Sequence, residues 1–235
     1  MSKLEVSKRQ ILVDDVSVRL LSGEVHYWRL APESWSTILN KVKEMGLHIV
    51  ATYVCWKFHE INRKEFDFNG LTDPRRNLKK FLELLTEKNF WIIIRPGPYI
   101  YSELINFGVP DYVVPYHRIH PEFKKHARIW MEAVARFLKP YFATSGGKII
   151  LFQPDNEIHP FIDYYGQQLG LGSEAGLFVD FIKERYKEIS ILNKAWETNY
   201  QSFEEVRAFG DIDQMDLFAQ RRRLDFIRFL LWHSK

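Results

Sequence analysis

Three polar residues in a row, Asp155-Asn156-Glu157, follow the apolar run Ile149-Ile150-Leu151-Phe152 in the stretch KIILFQPDNEIHP. A carboxylate placed there can give a proton to a leaving group or take one from water, if the chain holds it within hydrogen-bond reach of the reacting atom. A buried strand does this, because packing behind it fixes its terminal side chains. Three other apolar runs end in a similar mixture. The first ends in Glu24, His26, Tyr27 and Trp28, the second in Tyr53, Trp56, His59 and Glu60, and the third in Arg95, Tyr99, Tyr101 and Glu103. Gln153 joins Asp155, Asn156 and Glu157 at the fourth. Carboxylates beside flat rings suit a sugar, whose C–H faces stack on Trp and Tyr while its hydroxyls seek charged and amide partners. Breaking a glycosidic bond takes two carboxyl groups, one to protonate the leaving oxygen and one to attack or to activate water.

Other chemistries fit less well. His59-Glu60 is not followed by a second histidine one turn later, so the helix of a zinc protease is absent. There is no GxSxG elbow and no P-loop. Gly170-Leu171-Gly172 follows a polar loop rather than a strand and reads as loop, not as a dinucleotide motif. The net charge of +3, with both signs mixed along 235 residues, is too mild to imply nucleic acid, and none is expected as a partner. Arg221-Arg222-Arg223 lies in an apolar-periodic segment with Leu224, Phe226 and Ile227 and reads as a solvated helix face. Cys55 is the single cysteine, so no intrachain disulfide and no cysteine-rich zinc site is expected. No cofactor and no metal is called for. The N-terminus lacks a signal-type apolar core, and the longest apolar runs, such as FWIII at 90–94, are too short to span a bilayer. The expectation is a soluble cytoplasmic protein with no membrane partner.

These residues need elements to hold them. QILVDDVSVRLLSGEVHYW reads as a hairpin turning at Asp14-Asp15, whose second arm leads to an inward strand ending near His26. A helix follows from Pro32, with Trp35, Ile38, Leu39, Val42 and Met45 on one face and Gly46 as its left-handed cap. LHIVATYV is a buried strand. Asp73 caps a second helix that turns Leu78, Phe81, Leu82 and Leu85 inward. Pro121 opens a third, with Phe123, Ala127, Trp130, Val134, Phe137 and Leu138 inward, and Gly146-Gly147 turns the chain into the fourth strand. Further helices are expected after Ser173, over SILNKAWE, and from about Asp213 onward. Strands are expected near 19–26, 48–54, 90–95 and 148–153. Apolar strands alternating with amphipathic helices argue for an α/β fold with a parallel sheet. An open doubly wound sheet would carry a glycine-rich turn after its first strand, and HYWRLAPE has none. A (β/α)8 barrel is the alternative, with the four strand ends on one rim.

LLSGEVHYWRLAPESW, TYVCWKFHE, RPGPYIYSE followed by NFGVP, and DNE occur in that order. In these motifs the sequence resembles the catalytic barrel of glycoside hydrolase family 35, the family of acid-type and lysosomal-type β-galactosidases, in clan A of the retaining glycosidases. The likeness covers roughly Ile11 to Ile158, and the segment from about Glu174 to Val206 is more similar to family 42 β-galactosidases. The resemblance implies that Glu157 is the general acid/base and that Asn156 binds the sugar hydroxyl beside the reacting carbon. It implies further that Tyr53 and Glu103 bind galactose hydroxyls, that Ser102 stands where the family often has alanine, and that Arg95 supports the carboxylates from below. PDNE replaces the usual xENE, and SEL replaces an AEW-type run, which removes a tryptophan from the sugar site. The clan's nucleophile is a glutamate ending the seventh strand, and no residue here matches its motif. The resemblance therefore implies the N-terminal half of a TIM barrel, about four βα units, with residues 1–235 as a partial catalytic domain that stops before strand 5. The expected partners are a β-galactoside and either the other half of the barrel or a second copy, and the chain alone is expected to be inactive. The alternatives are a non-catalytic sugar-binding remnant and a clan A enzyme with another β-glycoside specificity.

Each residue also has a plainer reading. Asp155 suits a structural role at the strand end, and Glu103 could pair with Arg95. His59 and Glu60 read as scaffold, Trp35 and Trp130 as packing, and Cys55 as an inert buried thiol. His26 divides evenly between a core histidine and a wall of the site.

Overall fold

The N-terminal hairpin forms as its sequence requires, and one further strand joins it. The computed structural model describes residues 2–7, 10–157, 162–171, 175–208 and 217–233. Strands β1 (Leu4–Ser7), β2 (Gln10–Val13) and β3 (Val16–Val18) make a three-stranded antiparallel sheet. Asp14 and Asp15 both take left-handed backbone, φ 50° and 64°, which gives the turn the twist that a two-residue hairpin needs. β1 has no counterpart in the sequence reading.

Strands β4 (Ser22–Glu24) and β5 (Ile49–Tyr53) begin a parallel sheet. A small hairpin, β6 (Glu60–Asn62) with β7 (Glu65–Phe66), intervenes before β8 (Trp91–Gly97) and β9 (Ile149–Pro154) complete it in the order β4-β5-β8-β9. These are the four expected strands, with β4 shorter than 19–26. Register levels their carboxyl ends: Glu24 pairs with Ala51, Tyr53 with Arg95, and Gly97 with Pro154. Every residue of β5 is buried, as a central parallel strand covered on both faces should be. At the opposite end of the sheet, Val13 and Val18 of the antiparallel sheet pack with Ile49, Ala143 and Ile150 and close it off. The arrangement is that of four consecutive units of a (β/α)8 barrel.

Helices α1 (Trp35–Glu44), the single turn α2 (Trp56–His59), α3 (Leu78–Glu87) and α4 (Pro121–Leu138) connect the strands. Trp35, Leu39 and Val42 are buried as their spacing demands, but Met45 is 74% exposed, because the helix ends at Glu44. Gly46 does adopt the left-handed cap, φ 78°. Asp73 caps only a short 3-10 turn by accepting from Arg75 N, and Asn77, accepting from Lys80 N, caps α3 itself. All four expected residues of α3 are fully buried, each stabilising by about 1.5–3 kcal/mol. Phe137 on α4 is half-buried, whereas Trp130 is fully buried, stacks on Trp56, and donates from Nε1 to Pro96 O at 2.8 Å. A side chain at Gly147 would sit 2.0 Å from Tyr141 O, so the turn into β9 admits only glycine there.

The chain divides into two compact units, 1–114 with 125–157 and 115–124 with 158–235. The second is helical: α5 (Ile162–Leu169), α6 (Leu177–Tyr186), α7 (Ile189–Trp196) and α8 (Leu217–His233). Phe178, Leu192, Trp196 and Phe229 fill its core. Asp225 sits among them, and its carboxylate accepts from Arg185 Nε at 2.8 Å, Arg228 Nη1 at 3.1 Å, Tyr186 Oη at 2.5 Å and Trp196 Nε1 at 3.0 Å. Within the arginine run, Arg221 and Arg223 are exposed and Arg222 lies over the Trp196 ring. α5 was not foreseen. The proposed N-cap Ser173 and the helix start at Asp213 lie outside the described residues.

Candidate active site

The side chains that converge at the carboxyl end of the sheet meet on one atom. Asn156 Oδ1 accepts from Arg95 Nη2 at 2.8 Å, from Tyr53 Oη at 3.1 Å and from Gln153 Nε2 at 3.2 Å. An amide oxygen has two lone pairs, so three donors saturate it. They also fix the amide's orientation, and Nδ2 makes no hydrogen bond among the described residues. Asn156 is 5% exposed, held where β9 gives out, with its donor end uncommitted.

Arg95 joins four strand ends. Its Nη1 pairs with Glu24 of β4 at 2.5 Å, its Nη2 reaches Asn156 beyond β9, and its guanidinium carbon lies 3.9 Å from the ring centre of Tyr53 on β5. The bland reading of Glu103 as the partner of Arg95 is thus replaced: the partner is Glu24. Period-two alternation puts Glu24 and His26 on one face of the chain, a signal that could have singled out Glu24. Burial raises the Tyr53 phenol pKa, with Arg95 opposing the shift and Glu24 and Glu157 adding to it.

Asp155 plays the structural part. Its Oδ1 accepts from Asn156 N at 3.0 Å and Tyr99 N at 3.3 Å, and its own N–H donates to Gly97 O. Left-handed backbone at Asp155 (φ 60°) and Glu157 (φ 35°) turns the chain sharply on both sides of Asn156. Glu157 is exposed, and its carbonyl accepts from Tyr101 Oη at 2.8 Å. That bond ties the β9 end to the loop after β8, where Tyr101, Ser102 and Glu103 are all left-handed (φ 54°, 48°, 48°). Ser102 O accepts from the Arg29 guanidinium. Gly108 closes the loop at φ 86°, and a side chain there would meet Ile100 at 2.6 Å. Glu103 is exposed and makes no hydrogen bond among the described residues, though its charge acts on His26. Tyr53 and Asn156 are therefore in direct contact and Glu157 is next in sequence, whereas Ser102 and Glu103 stand apart on the adjoining loop.

A second polar group of fixed structure follows the end of β5. His59 is fully buried. Its Nδ1 is 2.5 Å from Asp67 O, which can only accept, so Nδ1 carries the proton and Nε2 accepts from Tyr27 Oη at 2.5 Å. Glu60 accepts from Tyr112 Oη at 2.9 Å. Both are scaffold. Cys55 is free and buried, and burial pushes its thiol up to about 11. Among the described residues no cluster could hold a metal ion, and no helix is long and apolar enough to cross a membrane.

Polar strand ends gather on one rim of a parallel sheet that has the architecture of part of a barrel. The model for glycosyl hydrolases family 35 matches residues 10–220, and the chain belongs to that family. It is similar to a beta-1,2-glucosyltransferase of Ignavibacterium album, 34% identical over 80% of this chain and 29% of the relative. An exo-beta-D-glucosaminidase of Thermococcus kodakarensis is 29% identical over 99% of this chain and 32% of the relative. A probable beta-galactosidase of Dictyostelium discoideum is 34% identical over 74% of this chain and 23% of the relative. The chain thus spans about a third or less of the length of these relatives. Among solved structures, a beta-galactosidase from Halorubrum lacusprofundi aligns over 91% of this chain and 32% of its own, with a TM-score of 0.61 at 19% identity. The catalytic domain of a beta-amylase from Paenibacillus polymyxa aligns over 90% of this chain and 60% of its own, with a TM-score of 0.60 at 14% identity. These likenesses establish the fold.

Proposed function

We propose that the chain is part of the catalytic barrel of a retaining β-glycosidase acting on terminal β-D-galactosyl residues, with Glu157 as its acid/base. The carrying observation is the Asn156 amide, saturated on its oxygen and open on its nitrogen, beside the exposed Glu157. In this reading Nδ2 donates to the hydroxyl next to the reacting carbon, Tyr53 and Glu103 bind further hydroxyls, and Ser102 lines the site. Glu157 protonates the leaving oxygen and later takes a proton from water. Residues 1–235 then belong to one catalytic domain. The second carboxylate comes from the rest of a barrel, supplied by another segment. Among the described residues β4 and β9 have one sheet neighbour each, which supports such pairing. A cytoplasmic location completes the proposal.

The relatives named for glucosaminide and glucosyl chemistry raise a second specificity. The amide argues against a protonated amino sugar, because an ammonium only donates and Nδ2 cannot accept from it, whereas a hydroxyl can accept from Nδ2. The test is aryl β-galactoside and β-glucosaminide turnover by the chain alone and mixed with a polypeptide supplying the remaining strands. We expect galactoside turnover only in the mixture, abolished by Glu157→Gln. Turnover by the chain alone that Glu157→Gln removes would place the attacking group within these residues. Galactose binding with no turnover in any mixture would support a non-catalytic sugar-binding protein instead.

A further inference from the structure

His26 has no part in the scheme above, yet it touches the ring at the centre of the site. Its imidazole is 5.1 Å from the Tyr53 ring, centroid to centroid, with the planes at 33°, and it stacks on Trp28 at 5.5 Å. Trp28 donates from Nε1 to Tyr53 O at 3.1 Å, so the same short segment also holds the Tyr53 backbone. β5 lies between β4 and β8 in the sheet. Tyr53 is therefore gripped from both flanking strands, by an imidazole following β4 and by the Arg95 guanidinium from β8.

The choice of histidine needs explaining. Among the described residues Nδ1 is buried with no hydrogen-bond partner, an unfavourable state that a phenyl ring of similar shape would avoid. What the imidazole adds is a proton site. The charges acting on it are Glu24 and Glu103, which favour protonation, and Arg29 and Arg95, which oppose it, while burial, the largest influence, keeps it neutral below the usual histidine range. His26 lines an open groove with Glu24, Val25, Arg29, Leu30 and Ile38, and is only partly buried, so a proton can reach it from solvent. Once protonated, it would set a second cation beside Tyr53 and compete with Arg95 for Glu24.

We propose that neutral His26 is a positioning residue, holding the Tyr53 ring so that Oη stays on Asn156, and that its protonation releases this hold. The consequence for sugar affinity rests on the functional reading given above, but the hold on Tyr53 does not. The full chain, labelled with carbon-13 at the tyrosine rings, tests it, with Tyr53 assigned by the signal lost in Tyr53→Phe. The Tyr53 signal should move as the pH is lowered. His26→Phe should keep its neutral-pH position and remove the movement, and His26→Ala should displace it at every pH. A Tyr53 signal that ignores pH in the wild type, or that moves equally in His26→Phe, would overturn the proposal. In a second arm, galactose titration should show affinity reduced about fivefold by His26→Ala. That loss should vanish when Tyr53 is already phenylalanine, because the two act as one unit. Additive losses would overturn it. If the wild type binds no galactose, the substrate reading fails while the Tyr53 signal still decides the role of His26.

Discussion

Two polar nodes organise this molecule, one on Asn156 in the first unit and one on Asp225 in the second, and they differ in what they leave unused. Asp225 is 1% exposed, and both of its oxygens are taken, Oδ1 by Arg185 and Arg228 and Oδ2 by Tyr186 and Trp196. Nothing remains for a ligand. Asn156 is nearly as buried and its oxygen is as fully engaged, but its nitrogen is not. The same device, a buried acceptor gathering donors from several elements, makes a structural pin where every valence is used and a binding site where one is left over.

The largest effect should come from breaking the closed node. Asp225→Ala leaves Arg185, Arg228, Tyr186 and Trp196 without their acceptor and should destabilise by about 3 kcal/mol, read from denaturant unfolding. The two arginines are partly exposed and can turn to water, which sets the loss at the low end for a broken buried pair. Asp225→Asn, which keeps an acceptor, should lose less. A loss below 1 kcal/mol for alanine would show that the node carries no weight.

Acid probes the fixed polar group around His59. Burial, the dominant influence, holds His59 at about 4 against an ordinary 6.5. The unfolded chain therefore takes up a proton between those values and the folded chain does not, so stability falls as pH drops from about 6.5 towards 4. The share due to His59 is on the order of 3 kcal/mol. His117 and His233, both also held near 4, titrate in the same window and steepen the slope. His59→Phe should remove only its own share. An unchanged slope in that variant would mean that His59 is already charged in the folded protein.

The open node separates stability from binding. Asn156→Ala orphans three donors and should destabilise by roughly 1–3 kcal/mol while abolishing galactose binding. Asn156→Asp keeps an acceptor for Arg95, Tyr53 and Gln153, so it should unfold near wild type yet lose the outward donor and bind galactose at least tenfold more weakly, about 1.4 kcal/mol. Unchanged affinity in the aspartate variant would show that Nδ2 is not the contact.

The nodes also mark where sequence reading stops. Period and burial gave the strands and the face of α3, since each residue there answers to its own neighbours three or four positions away. Tyr53 and Asn156 lie 103 positions apart, and no spacing predicts that their side chains meet. Each is legible as a polar strand end, but their joint role only through resemblance to a family pattern, which stores that distance. Glu24 is among the strand-end residues, but its pairing with Arg95 escaped, because the two lie 71 positions apart and meet only when the sheet sets β5 between their strands. The run of left-handed residues Tyr101, Ser102 and Glu103 escaped too, since none is a glycine and the conformation is held by contacts such as Arg29 with Ser102 O and Tyr101 with Glu157 O. Met45 shows the converse: it fits the helical period, but the helix has ended before it.

The smallest effect should come from Glu24→Gln. Chemically its contact matches that of Asp225, an arginine on a carboxylate, but the Glu24 side chain is 43% exposed against 1% for Asp225. Water competes for both partners, and Arg95 keeps Asn156 and the Tyr53 ring when the charge is removed. The expected change in stability is below about 1 kcal/mol. It should shrink further as salt is raised, because exposed charges are screened and the Asp225 contacts are not. Denaturant unfolding of both variants at low and high ionic strength measures the contrast. A salt-independent loss as large as that of Asp225→Ala would place Glu24 in the closed class, and the distinction between a pin and a site would then rest on Asn156 alone.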